Sequence, residues 1–272
     1  MKNFVITIDV EPDAVYPTWK TSNPISFKGV IEGIPLLDEF AKKKEIKLTY
    51  LAQPAVLLNQ DCVNVLKCTT FEVGSHLHGD YISPSARYPG PDFSGCDPIE
   101  KQKDYTYDIE FGKLETLSKL FRDKIGYFPL SFRAGRFGIG KNSYKILHSL
   151  GYTHDTSVVP GWKHFKKEKR RKPFLKDGVI EVPITADNKR KWLRPTIGYS
   201  NKKDIKEIIK WAVRKNLNVL CTMFHNVEII PGASPYCNSN KEKEEILDRL
   251  SLMVDLLIKN KYFPSFLREI EI

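Results

Sequence analysis

Seven β-rich runs, each set off from the next by a helical stretch or a long loop, constrain this fold more than any other feature. They cover residues 4–8, 46–51, 71–75, 130–133, 152–155, 179–182 and 219–224. Between them apolar residues recur at helical spacing, as at Ile34, Leu37, Phe40 and Ala41. Ile205, Ile208, Ile209 and Ala212 form a second such face behind a cap at Ser200 or Asn201, and Ile246, Leu250, Met253, Val254 and Leu257 a last one. The capping box Asp97-Pro98-Ile99-Glu100, with Pro at the first helical position, predicts the longest helix, over 97–124. Strands alternating with helices are joined by crossovers, so they run parallel, in a closed barrel or an open doubly wound sheet. The 272 residues suit one domain, 1–272, and no repeat or low-complexity linker divides them.

That framework excludes several functions. No GxGxxG or GxxxxGK[ST] follows any strand, so nucleotide-binding fingerprints are absent. No apolar run approaches the roughly 20 residues that cross a bilayer. The first residues, Met1 to Asp9, turn acidic too soon for a signal peptide. Five cysteines without CxxC spacing fit reduced thiols, and with them a cytoplasmic location, peripheral at most to the inner membrane surface. The net charge of +10 is concentrated in residues 163–194, which hold twelve Lys/Arg against four acids. This run is either a solvated loop or a patch for an anionic partner: phosphate, nucleotide or an anionic membrane surface. Nucleic acid is not expected, because no recognition motif accompanies the charge.

Titratable residues collect where the strands end. Asp9 and Glu11 follow the first strand, His76, His78 and Asp80 the third, Arg133 and Arg136 the fourth, Asp155 the fifth, and His225 the seventh. In parallel βα folds this end of the sheet carries the site. Asp9 and Glu11, two apart on an extended strand end, leave by the same face, so one can bind a metal while the other takes a proton. His76 and His78 share that spacing and can hold one cation, and two His plus a carboxylate form a catalytic zinc set with an open water position. Asp80 replaces His78 if the chain turns tightly after Ser75. His225 suits either a third imidazole ligand or a separate proton donor. His148 and His164 read as structural, and His154 is undecided.

These residues resemble the polysaccharide deacetylases of the NodB-homology type, similar to carbohydrate esterase family 4, over most of the chain. Thr7-Ile8-Asp9-Val10-Glu11 resembles the first motif of that family, and Glu72-Val73-Gly74-Ser75-His76-Leu77-His78 the metal-binding second. Ser131-Phe132-Arg133-Ala134-Gly135-Arg136-Phe137 resembles the third, Asp155-Thr156-Ser157 the fourth, and Phe224-His225-Asn226-Val227-Glu228 with Pro231-Gly232 the fifth. Three departures stand out: Val10 separates the two acids, the His pair is two apart rather than four, and the third motif lacks its Pro-Pro. The branch associated with O-antigen and capsule biosynthesis shares them.

The resemblance implies a distorted (β/α) barrel of about seven parallel strands and a metal-dependent N-deacetylase. It makes Asp9 the base, Arg133 its tether, His225 the acid and Asp155 the support of that His. Glu11, His76 and His78 would hold a divalent metal, zinc foremost, with Arg136 and Glu228 contacting substrate. The substrate implied is an N-acetylated amino sugar. Without a visible signal peptide, a cytoplasmic precursor linked to a nucleotide or lipid diphosphate fits best, and the basic run would suit its diphosphate. The rivals are an amidohydrolase of a small amide on the same fold and a non-catalytic carbohydrate- or membrane-surface-binding protein.

Overall fold

A computed structural model describes residues 1–15, 19–90, 92–162, 165–189 and 191–272. His164 and two members of the basic run, Lys163 and Arg190, lie outside the described residues. Seven strands run parallel: β1 (Asn3–Val10), β2 (Thr49–Ala52), β3 (Glu72–Leu77), β4 (Ser131–Ala134), β5 (His154–Asp155), β6 (Val179–Glu181) and β7 (Val219–His225). Their order in space is β7-β1-β2-β3-β4-β5-β6. Beyond β6 the chain meets β7 through one parallel bridge, Ile184 to Cys221, so the sheet curls back onto its first member. The result is the distorted barrel of seven parallel strands expected from the sequence. A short strand, Phe174–Lys176, lies antiparallel on β6, and Phe263–Pro264 runs beside the start of β1.

Alternation along the strands sorts residues into two layers. On β1, Phe4, Ile6, Ile8 and Val10 join the large core shared with the helices, whereas Val5 belongs to a second cluster with Val182, Ile184, Cys221 and Met223 inside the barrel. Leu220 and Phe224 of β7 likewise face outward, and Val219, Cys221 and Met223 inward. Asp9 and His225 continue the inner series and pair directly across β1 and β7.

The outer layer contains α1 (Gly33–Lys43), α2 (Gln60–Cys68), α3 (Tyr107–Ile125), α4 (Ser143–Ser149), α5 (Lys202–Arg214) and α6 (Asn240–Lys259). Asn201 and Asp204 close a capping box at α5, whose Ile205, Ile208, Ile209 and Ala212 are buried. Burial of each such Ile stabilises by roughly 1.5–3 kcal/mol. The helix expected from Asp97 is a correction: α3 starts only at Tyr107. Asp97 instead accepts from Arg136 Nη2 at 2.9 Å, while the N–H groups of Ile99 and Glu100 turn to the buried carboxylate of Asp80 at 3.4 and 3.1 Å. A local capping sequence thus loses to tertiary partners, and the segment through Lys101 is drawn to the barrel mouth.

Candidate active site

The inner ends of β1, β3, β4 and β7 bring six side chains together: Asp9, Glu11, His76, His78, Arg133 and His225. Glu11 Oε1 lies 3.1 Å from His76 Nε2 and 2.9 Å from His78 Nε2, and Asp9 Oδ2 is 4.0 Å from His76 Nε2. Asn226 fixes the backbone of Glu11 from both sides, accepting from its N–H at 2.9 Å and donating to its carbonyl at 3.1 Å. His76 sits one strand from Arg133 and directs Nδ1 at the Arg133 carbonyl, 3.0 Å away. A carbonyl only accepts, so Nδ1 carries a proton, and in the neutral ring Nε2 presents a lone pair toward Glu11. A lone pair facing a carboxylate oxygen in a buried site is unfavourable unless a cation joins them. The donor set therefore fits a metal, and Glu11, His76 and His78 are the group of carboxylate and imidazole atoms, all within 4.8 Å of one another, able to hold one among the described residues. Asp80 is not among them, since its carboxylate is engaged with Ile99 and Glu100. Gly135 is required beside this cluster: a Cβ there would meet the Leu77 carbonyl at 2.4 Å and the His78 ring at 3.0 Å.

Asp9 is held by Arg133, which is wholly buried. Its Nη1 donates to Asp9 Oδ1 at 2.5 Å, its Nη2 to Thr7 Oγ1 at 2.5 Å and its Nε to the Thr156 carbonyl at 3.0 Å. Burial pushes the Asp9 carboxyl up, but Arg133, His76 and His225 outweigh it and hold the group below the usual carboxylate range. Asp9 is thus a carboxylate at neutral pH, with Oδ2 turned to the cluster.

His225 has a different partner from the one expected. Its Nδ1 donates to Glu228 Oε1 at 2.6 Å, and its backbone N–H to the same oxygen at 3.1 Å. The chain makes a 3₁₀ turn over Asn226–Ile229, which folds the i+3 carboxylate back onto the imidazole. Asp155 cannot serve. It pairs with Phe132 on β4 and Glu181 on β6, and Phe132 belongs to the outer core, so Asp155 leaves the sheet on the helix side. There it accepts from the Ser157 hydroxyl at 2.7 Å and shares a hydrogen bond with Glu181. Burial, then Asp155, drives Glu181 well above its usual range.

Glu228 also departs from expectation. It is fully buried, receives Arg194 Nη2 at 2.9 Å and the Thr196 hydroxyl, and so positions His225 rather than contacting substrate. Burial alone would push the imidazole down, but Glu228, with Glu11 and Asp9, raises it above its usual value. The protonated form then persists to higher pH. In Glu228→Gln that carboxylate is gone, so the alkaline limb of the activity profile should move to lower pH by about one unit or more. The same limb should stay in place in Asp155→Asn. An unmoved limb in Glu228→Gln, measured as kcat/KM against pH, would remove Glu228 from this role.

Asp9, Glu11, His76, His78 and His225 line a cavity of about 450 Å³ at the barrel mouth. One wall is an aromatic arc. Phe137 and Trp192 lie 5.3 Å apart, Tyr199 and Tyr236 5.5 Å, Tyr236 and Trp19 5.1 Å, and Trp19 and His225 4.8 Å. Asp97, Lys101 and Arg136 also line the cavity, so Arg136 stands where a substrate would meet it. His154 is structural, bonded to the Ile270 carbonyl at 2.8 Å. Sequence reasoning missed Arg194, Thr196 and the arc. Arg194 was counted as one charge of the basic run, and the aromatics are spread from residue 19 to residue 236 with no local signal.

No protein-family model matches the sequence, and no curated protein matches it either. Solved structures do resemble the fold. A putative polysaccharide deacetylase from Mycobacterium smegmatis superposes with TM-score 0.55 at 15% identity, covering 100% of this chain and 96% of that one. The chain has the fold of the carbohydrate esterase family 4 deacetylases. A peptidoglycan N-acetylglucosamine deacetylase gives TM-score 0.54 at 12% identity, over 97% and 86% of the two chains. A family 4 pseudoenzyme from Bacillus anthracis gives 0.53 at 13%, over 98% of this chain and 64% of its own. The NodB-type fold therefore occurs with and without activity, and the activity of this chain has to be argued from its own residues.

Proposed function

We propose that this chain is a metal-dependent N-deacetylase of an acetylated amino sugar, acting on a surface-polysaccharide precursor in the cytoplasm. The observation that carries the reading is the convergence of a Glu11-His76-His78 donor set with an Arg133-tethered Asp9 and a Glu228-held His225 in one aromatic-walled cavity. A resident divalent ion, zinc by the chemistry of the set, would supply Lewis-acid polarisation of the acetyl carbonyl and of the attacking water. Asp9, ionised by its pairing with Arg133, takes the proton from that water through Oδ2. Its other oxygen stays bound to Arg133, so the base does not swing away. His225, protonated at Nε2 and held through Nδ1 by Glu228, delivers a proton to the departing amine. Without it the leaving group would be an amide anion, which does not depart at useful rates. The aromatic arc suits the apolar faces of a sugar ring.

Support for an anionic substrate comes from Lys101 and Arg136 at the mouth, not from the basic run as expected. Among the described Lys and Arg residues of that run only Arg194 lines the cavity, and it is bonded to Glu228. Among the described residues no helix is long and apolar enough to cross a membrane. The decisive measurement is acetate release by the purified chain from N-acetylglucosamine, a nucleotide-linked N-acetyl sugar and a chitooligosaccharide, with and without added zinc. Metal-dependent release from an amino sugar is expected. Zinc binding without release from any of the three, or equal release from simple acetamides, would defeat the reading.

A further inference from the structure

The charge surplus of residues 163–194 is largely unused by the active site. Arg171 is taken up by the carbonyls of Lys169 and Ala186, and Lys191 pairs with Asp204. Arg170 and Lys176 do something else. With Lys141 they surround a second cavity of about 250 Å³, which shares no lining residue with the first. The three cations arrive from separate segments: Lys141 between β4 and α4, Arg170 from the connection after β5, and Lys176 from the end of the short strand Phe174–Lys176.

Their partners are few. Glu168 is the acid on the lining, and it accepts from Arg170 Nε at 3.0 Å and Nη2 at 2.7 Å, which leaves Nη1 uncommitted among the described residues. Among the described residues no acid pairs with Lys141 or Lys176. Lys176 Nζ stands 4.2 Å from the centroid of the Tyr144 ring, and the Tyr144 hydroxyl is committed inward to Glu181 at 3.0 Å. The guanidinium of Arg170 stacks at 3.6 Å on Phe174, which fixes the plane of its fork. Buried Tyr144 and stacked Phe174 thus hold two of the cations in place, and the cavity retains a net charge of about two positive units.

We propose that this cavity is a second binding site, for the phosphate dianion of a phosphorylated small molecule. Two ammonium groups and a guanidinium N–H, all without an acid partner among the described residues, match a doubly charged, three-oxygen acceptor better than a single carboxylate. A hollow of this size receives one phosphate group, whereas a bilayer surface would favour a flat or convex patch. The assignment is independent of the proposed deacetylase activity, because the two cavities share no lining residue.

Isothermal titration of the full chain with inorganic phosphate tests it, after removal of metal so that the active-site donors cannot recruit the anion through a cation. One saturable site is expected at low ionic strength. Lys141→Ala with Lys176→Ala should weaken it at least tenfold. Lys166→Ala with Lys167→Ala removes the same charge from exposed positions outside the cavity and should change it less than threefold. Lys176→Gln, which keeps a stem over Tyr144, guards against a folding defect and should weaken binding in the same direction. Absence of saturable binding, or equal weakening by both double variants, would overturn the proposal. So would binding to phosphatidylglycerol vesicles that needs Lys141 and Lys176 while free phosphate does not bind.

Discussion

Asp9→Asn is expected to lower kcat by about 10²–10⁴ while the chain still takes up one metal ion per molecule. The amide keeps the shape of the carboxylate but cannot accept the proton of the attacking water. Substrate and metal contacts made by other groups persist, so KM should move far less than kcat. A fall in stability accompanies the loss, because Arg133 is fully buried and its Nη1 loses an anionic partner at 2.5 Å. Leaving a buried charge uncompensated costs about 3–5 kcal/mol, reduced here by the bonds Arg133 keeps to Thr7 and Thr156. Kinetics should therefore be normalised to folded protein, with the unfolding midpoint measured alongside. Near-wild-type turnover by folded, metal-loaded Asp9→Asn would show that the base is another group.

The ionisation of Asp9 also sets a direction for pH. Its folded pKa is depressed, so the pairing stabilises the chain above the ordinary aspartate pKa and is lost as pH falls through the folded value. His225 has the opposite sign: its folded pKa is raised, so its contribution is complete below the ordinary histidine pKa and fades as pH climbs through the folded one.

The strand runs were legible because parallel barrel strands are apolar on both faces and sharply bounded, and the register β1 to β7 then places Asp9 beside His225. The His76–His78 spacing was legible for the same reason: alternation sends both toward Glu11. Two features escaped. Asp155 reads as a mouth residue from its position at a strand end, yet pairing with Phe132 and Glu181 puts it on the helix face, and one residue of register separates it from Thr156, which does reach Arg133. Register is set by neighbouring strands and is not written in the local sequence. Glu228 had a usable signal, an acid three residues beyond His225, but only the 3₁₀ turn makes that spacing a hydrogen bond. The misplaced start of α3 follows similarly, since Asp80, some twenty residues upstream, captures the N–H groups that a helix cap would have taken.

Metal uptake distinguishes the donor set from its neighbours, and His78→Ala should show the second largest effect. Removing one of the three proposed ligands is expected to weaken zinc affinity by well over the 10–100-fold typical of losing an outer partner of a ligand. Glu11→Gln should act in the same direction, because a neutral amide oxygen replaces the anion that His76 and His78 both face. His76→Ala should also release the Arg133 carbonyl from its bond to Nδ1 and so disturb the tether of Asp9, giving a larger loss of turnover than of metal-restored structure. Asp80→Ala makes the contrast. Its carboxylate holds backbone N–H groups of the segment that reaches the mouth, so the variant should lose stability and retain zinc at full stoichiometry. Metal content by mass spectrometry after dialysis, with competition by a zinc indicator for affinity, reads all four variants. Full zinc in His78→Ala together with loss in Asp80→Ala would move the third ligand position to Asp80, and would require the chain after Leu77 to turn differently from the arrangement described.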